Sequence, residues 1–270
     1  MLIAIQGELG SFSHEAAVLA NPKATLLPCA LSADAFDAVI RGAADAAMIP
    51  IENSLAGSVV EHYDLLLAHE VGVESEWLLR IRHNLIALPG TELRRIRRAY
   101  SHPVALAQCR KFFVEHPEIK ASASYDTAGS VKNLMELQDP SVAGIASAQA
   151  AAHYGGEILL ADIEDNPENY TRFFLVRRRA DLTQQRQANK VSLAFTVENR
   201  PGSLVEALQV FVGLGTNLTR LESRPVPGRP WEYVFYADYQ LERPEAADQA
   251  LARLAGHCSM VRELGRYRAA

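Results

Sequence analysis

Cysteine is scarce: the 270-residue chain has three, Cys29, Cys109 and Cys258. They are odd in number and far apart, with no C-x-x-C pair and no histidine at ligand spacing, so neither a disulfide framework nor a zinc site is supported. No apolar run approaches the roughly 18 residues that a membrane span needs. Excess positive charge is missing as well. The 32 acidic and 27 basic side chains leave a formal charge of -5, which argues against nucleic acid and obliges any anionic substrate to be held by local positive potential. The opening residues carry no basic leader, so a cytosolic protein is the expectation.

What is present is an ordinary apolar fraction, 49%, ample for the cores of about two domains. Residues 2–6 read as a buried strand, and a glycine-containing turn at 7–11 leads into a helix over 13–19. Such a turn frees backbone N–H groups for a carboxylate or phosphate, but helix capping by Ser11 or Ser13 is the better reading of it in isolation. A helix over 33–41 and a strand over 46–51 follow. The strand closes on Glu52, Asn53 and Ser54 before a helix over 60–67, which puts an amide and a hydroxyl where open α/β sheets bind ligands. Residues 77–88 predict one long strand. Three units come next, each a short strand ending in Ser or Thr at a helix start: Ser101 before 104–113, Thr127 before 128–137, and Ala146-Ser147 before 148–154. One such junction is a cap, but several converging on one cleft make a nest of N–H donors and hydroxyls for an anion.

Residues 158–161 return the chain to its most telling stretch. Asn166, Pro167 and Asn169 suit a turn, and 173–176 read as a buried strand. Thr171, Arg172 and Phe173 therefore set a hydroxyl, a fixed cation and a ring side by side at a strand entrance. The plan is two α/β lobes, the first interrupted by the second and completed by 171–177, with a cleft between them. A polar linker follows, and then strand 191–197, helix 203–214, strand 217–224, a Pro/Gly-rich turn, strand 231–239, helix 245–254 and strand 259–267. That order is βαββαβ, the ferredoxin-like arrangement, whose exposed sheet edges favour pairing between chains.

These residues resemble the prephenate dehydratase family with a C-terminal ACT domain. The resemblance rests on Thr171-Arg172-Phe173, Ile49-Pro50-Ile51-Glu52-Asn53-Ser54, Asp126-Thr127-Ala128, Ala146-Ser147, Gly202-Ser203-Leu204-Val205 and Glu222-Ser223-Arg224-Pro225, in that family's order. It implies an α/β fold: a two-lobed catalytic domain like the type 2 periplasmic binding proteins, plus the ACT domain. The corresponding boundaries are 1–180 (lobe 1, 1–76 and 162–180; lobe 2, 77–161), a linker at 181–190, and 191–270. The implied reaction is loss of water and carbon dioxide from prephenate to give phenylpyruvate, in a monofunctional enzyme needing no metal or organic cofactor. Arogenate, with an amino acid in place of the pyruvyl group, is the alternative substrate, and a non-catalytic ligand sensor is the alternative class.

The resemblance makes Thr171 the catalytic hydrogen-bond donor to the departing hydroxyl. It makes Arg172 a contact to the pyruvyl carboxylate or an orienter of Thr171, and it places Phe173, Asn53, Ser54, Ser101, Thr127, Ala146 and Ser147 in the cleft. Phenylalanine is the implied effector, bound between ACT domains of a homodimer or homotetramer by Gly202, Ser203, Leu204, Val205, Asn217, Glu222, Ser223, Arg224 and Pro225. Ser203 departs from the alanine common in the family and bears on effector fit.

Overall fold

Strand and helix alternate from the start: β1 (Leu2–Gln6), α1 (Phe12–Ala20), β2 (Thr25–Cys29), α2 (Ser32–Ile40), β3 (Ala46–Asn53) and the short β4 (Gly57–Ser58). β1 pairs in parallel with β2 and with β3, and its Ile3, Ala4 and Ile5 are wholly buried, as parallel strands covered on both faces require. β2 has no counterpart among the sequence expectations because Pro28 interrupts its apolar run. The proline is tolerated there because β2 lies at the end of the strand order.

The chain continues through α3 (Val60–Ala68), β5 (Val71–Arg80), β6 (Asn84–Ala87), β7 (Arg98–Ser101), α4 (Pro103–Ala107), α5 (Arg110–Glu115), β8 (Lys120–Ala123), α6 (Thr127–Leu137), β9 (Val142–Ala146), α7 (Ala148–Tyr154), β10 (Glu157–Leu160) and β11 (Tyr170–Arg178). One sheet has the order β2-β1-β3-β11-β5 with β4 on β3, and a second has β10-β6-β9-β7-β8. The chain leaves the first sheet after β5, builds the second, and returns through β11.

This computed structural model describes residues 1–183, 187–226, 228–243 and 245–270. Residues 184–186 of the expected linker and Pro227 of the expected Pro/Gly-rich turn lie outside them. Two compact units are distinguished, Met1–Val59 with Trp77–Phe173, and Val60–Glu76 with Phe174–Ala270. The division falls inside β5 and β11, so it is a different partition from the domain boundaries expected at 180 and 190.

The second unit contains β12 (Lys190–Thr196), α8 (Ser203–Leu214), β13 (Leu218–Pro225), β14 (Tyr233–Gln240), α9 (Glu245–Leu254) and β15 (Met260–Tyr267). The order is βαββαβ and the sheet is β13-β14-β12-β15. Phe195, Phe211, Tyr239 and Leu254 are buried in its core. α3 belongs here too. The Tyr63 ring lies 5.1 Å from that of Tyr236, with the Arg220 guanidinium 3.9 Å from its centroid. Arg224 Nε donates to Asp64 Oδ2 at 2.6 Å, and Arg262 Nη1 donates to the Leu67 carbonyl at 2.7 Å near the helix end.

Two expectations need correction in the first unit. The single strand over 77–88 is β5 and β6, separated at residues 81–83. There the His83 N–H goes to the Glu164 carboxylate at 2.9 Å and the His83 carbonyl accepts from Ile163 N, so the backbone cannot continue its ladder. The single helix over 104–113 is α4 and α5. The break forms because Asp165 accepts from the N–H groups of Arg110 and Lys111 at 3.1 and 2.8 Å, starting a new helix after Cys109. Replacing Asp165 by Ala removes that cap and is expected to cost about 1 kcal/mol of stability. A urea midpoint that does not move would show that the break is held by something else.

Candidate functional site

Side chains alternate along a strand, so Thr171 and Phe173 share one face of β11 and Arg172 takes the other. Thr171 and Phe173 line a cavity of about 490 Å³, with residues 6–8, 11–13, 28–30 and 125–127, Pro50 and His102 completing the wall. Arg172 is not among these. Its guanidinium is largely buried and reaches Glu52 of β3 at 3.1 Å.

Asn53 fixes the donor direction at Thr171. Its Oδ1 accepts from the backbone N–H groups of Leu55 and Ala56 at 3.0 and 2.8 Å. Backbone N–H groups can only donate, so Nδ2 must face the other way, where its two hydrogens meet the nearer acceptors, Asn169 Oδ1 at 2.7 Å and Thr171 Oγ1 at 3.0 Å, with the Tyr170 carbonyl farther off at 3.2 Å. Thr171 is thereby an acceptor on its protein side and keeps its own proton for the cavity. Ser54 neither caps a helix nor lines the cavity. Its hydroxyl donates to the Glu168 carbonyl at 3.2 Å and accepts from Tyr170 N at 3.0 Å, fastening the turn before β11 to the end of β3.

Thr127 is in the cavity wall, whereas the remaining predicted contacts stand behind it. Ser101 is wholly buried and donates to the Ile145 carbonyl at 2.6 Å. The Ala146 carbonyl accepts from Asn84 at 3.2 Å. Ser147 caps α7 through Ala150 N at 3.0 Å and donates to the Gly10 carbonyl at 2.6 Å. Gly10 has φ +85°, and a Cβ there would meet Ala150 Cα at 2.7 Å, so only glycine lets the loop approach α7 this closely. The other side of the loop is held by His14 Nδ1, which accepts from Gly10 N at 2.7 Å. Burial first, and then His153, keeps the His14 pKa below its ordinary 6.5, which preserves the acceptor.

No Lys or Arg lines the cavity among the described residues. Positive potential comes instead from the start of α1. The Glu8 carboxylate is held by Lys132 at 3.1 Å and by the Tyr125 hydroxyl at 3.1 Å. Asp126 caps α6 by accepting from Gly129 N at 2.7 Å; burial raises its pKa while these N–H bonds oppose the rise. Burial also raises the Cys29 pKa, so that thiol is not a ready nucleophile. Glu8, His102, Tyr125 and Asp126 were not singled out as site residues in the sequence. The glycine turn at 7–11 and the Ser101-His102 junction were the available signals.

In the second unit, a cavity of about 210 Å³ is lined by Gly202, Ser203, Leu204, Val205 and Arg200, with Trp231, Tyr233 and Phe235 opposite. Asn217, Glu222, Ser223, Arg224 and Pro225 are not in that lining. Glu222 pairs with Arg220, Arg224 pairs with Asp64, and Asn217 Nδ2 is 3.5 Å from Gln240. The Ser203 hydroxyl donates to the Glu198 carbonyl at 2.6 Å and lies 3.0 Å from the Arg200 carbonyl, so its extra oxygen braces the turn.

Residues 3–181 match the model of the family described as prephenate dehydratase. An Arabidopsis thaliana protein named arogenate dehydratase/prephenate dehydratase 2, chloroplastic, is 37% identical over 98% of this chain and 72% of its own length. A solved prephenate dehydratase from Arthrobacter aurescens, in complex with L-Phe, has 36% identity and a TM-score of 0.90 over 99% of this chain and 90% of its own. A second solved structure, described as GqqA, a novel type of quorum quenching acylases, has 36% identity and a TM-score of 0.92 over 100% of this chain and 98% of its own. The cytosolic expectation is overturned by the relatives, several of which are named chloroplastic. The described helices establish only that none is long and apolar enough to cross a membrane.

The loop at 7–11 should report the charge of His14. The unfolded chain takes up a proton near 6.5 while the folded chain resists it, so folded stability falls as pH drops from 6.5 towards the lowered folded value. Asn at position 14 keeps an acceptor near the Nδ1 position without titrating. Relative to His14→Asn, wild type should lose stability between about pH 7.5 and about pH 5.5, read from urea midpoints. A difference between the two proteins that is independent of pH would remove His14 as the titrating anchor.

Proposed function

Since this chain belongs to the prephenate dehydratase family, we propose that it removes water and carbon dioxide together from prephenate, or from its amino-acid counterpart arogenate, in aromatic amino acid biosynthesis. The observation that carries this reading is the Thr171 hydroxyl, on the cavity wall with its lone pair occupied by Asn53 Nδ2. In the reaction the bond from the ring to its carboxylate breaks, and that electron pair makes the ring aromatic. The C–O bond opposite breaks with it, and the departing oxygen takes up one proton to leave as water. Aromatisation supplies the driving force, and the poor leaving group is the obstacle. A threonine hydroxyl is too weak an acid to deliver a whole proton, so Thr171 acts as a positioned donor to charge developing on that oxygen.

The lining suits a substrate whose two carboxylates have opposite needs. N–H groups at the start of α1 can hold the carboxylate that persists. The ring carboxylate must lose its charge, and Phe12, Pro28, Pro50 and Phe173 in the same wall favour the neutral carbon dioxide that leaves. A cation on the ring carboxylate would stabilise the ground state. Arg172, engaged with Glu52, is therefore read as holding β11 to β3 rather than as a substrate clamp.

At finer grain, the two sheets of the first unit are read as the two lobes of a type 2 periplasmic-binding-protein-like catalytic domain. Residues 191–270 are read as an ACT domain working in a homo-oligomer, with phenylalanine as its effector. The L-Phe complex of the Arthrobacter aurescens relative and the cavity beside Gly202 support the effector. Hydrolysis of an acyl amide is a second reading, favoured by the likeness to the acylase.

Purified protein should convert prephenate or arogenate without hydrolysing an acyl amide; the reverse result would favour the acylase. Thr171→Ala should lower kcat by about 100- to 1,000-fold, the scale of a lost oxyanion-hole donor, with a much smaller change in KM. An unchanged kcat would take Thr171 out of the mechanism. Phenylalanine binding should be readable by calorimetry. Gly202 has φ +88°, which a β-branched residue adopts only under strain, so Gly202→Val should weaken phenylalanine by about tenfold or more, about 1.4 kcal/mol. Equal affinity in both proteins would place the effector elsewhere.

A further inference from the structure

Thr171 is one end of a file of hydrogen-bonded amides. Asn53 Nδ2, its direction fixed by two backbone donors, gives a hydrogen to Asn169 Oδ1 at 2.7 Å. That contact turns the Asn169 amide so that its Nδ2 donates to Gln108 Oε1 at 3.0 Å. The same Gln108 oxygen lies 2.9 Å from His83 Nε2. An amide oxygen can only accept, so His83 must donate, and its proton resides on Nε2. The direction of every bond in the file thus follows from the Leu55 and Ala56 N–H groups.

We propose that His83 is a positioning residue for the dehydration, its neutral Nε2–H imidazole holding Gln108, Asn169 and Asn53 in the one arrangement that leaves the Thr171 hydroxyl proton directed into the cavity. The proposal rests on the role of Thr171 given above. His83 and Asn169 are 2% and 0% exposed, and Asn53 and Gln108 between them are half-buried. The opposite ring nitrogen, Nδ1, is buried with no hydrogen-bond partner among the described residues. A cationic ring would leave an N–H stranded there, and burial lowers the His83 pKa against the smaller opposing effects of Gln108 and Glu164. The ring edge also meets Phe12, a cavity residue, at 5.6 Å between centroids.

A purely space-filling histidine would behave differently from a donor. His83→Phe keeps the bulk and removes the donor, whereas His83→Gln can place an N–H near the Nε2 position. With a donor role, His83→Phe should lower kcat about tenfold or more while KM stays within about twofold. His83→Gln should recover kcat to within about threefold of wild type. Full kcat in the Phe variant, equal impairment in both, or a loss confined to KM overturns the proposal. Nitrogen-15 NMR of histidine-labelled wild type gives a reading that needs no variant to fold. His83 should show a protonated Nε2 and a bare Nδ1 at neutral pH, and an imidazolium or the Nδ1–H tautomer there overturns the proposal. Thr171→Ala, assayed alongside, separates the failures. Retained turnover there defeats the Thr171 reading, whereas the tautomer of His83 answers for the file by itself.

Discussion

The site depends on one amide whose two ends cannot be exchanged. Asn53 ends β3, and the chain turns back on its carboxamide oxygen through the Leu55 and Ala56 N–H groups. This is an ordinary Asx turn, but it forces the NH2 end towards β11. Had the turn been closed by water or by another side chain, the amide could flip, and the threonine it touches could present either a lone pair or a proton to a ligand. A small local preference thus fixes a chemical polarity.

The cavity's electrostatics follow the same economy. A chain with net negative charge has to bind a substrate with two carboxylates without lining the cavity with cations. Helix starts carry fractional positive charge that is already fixed in place and loses no side-chain entropy on binding. Glu8 is kept from opposing it by Lys132 and Tyr125, whereas Asp126 takes the start of α6 for itself. Binding can then be selective for where charge persists rather than for charge as such.

Much of this was legible in the sequence because the signals were local. Helices at 203–214 and 245–254 and the strand at 2–6 carry their own periodicity and bounds, and β1, α8 and α9 occupy those residues. The strand alternation that separates Thr171 from Arg172 was equally available, yet the adjacent motif invited both onto the ligand. The errors arise where a distant group decides. Asp165 splits a helix whose residues look continuous, and Glu164 ends a strand by taking the His83 N–H. The hydroxyls of Ser101 and Ser147 have the right chemistry for a cleft, but carbonyls elsewhere in the first unit consume it. Sequence gives a polar atom's capacity; only the fold gives its partner.

The family match ends at residue 181, but the packing of α3 does not respect that limit. Tyr63 lies against Tyr236 under the Arg220 guanidinium, and Asp64 holds Arg224 and the Tyr236 hydroxyl. Lys190 closes on Glu76 at 2.8 Å. A chain ended at 181 would keep every residue of the matched segment while uncovering an aromatic ring and stranding several carboxylates. The two parts are separable as text but not as objects. Gene fusions and exchanges that treat the βαββαβ part as a detachable cassette must therefore carry matching residues at 60–76, or re-evolve them.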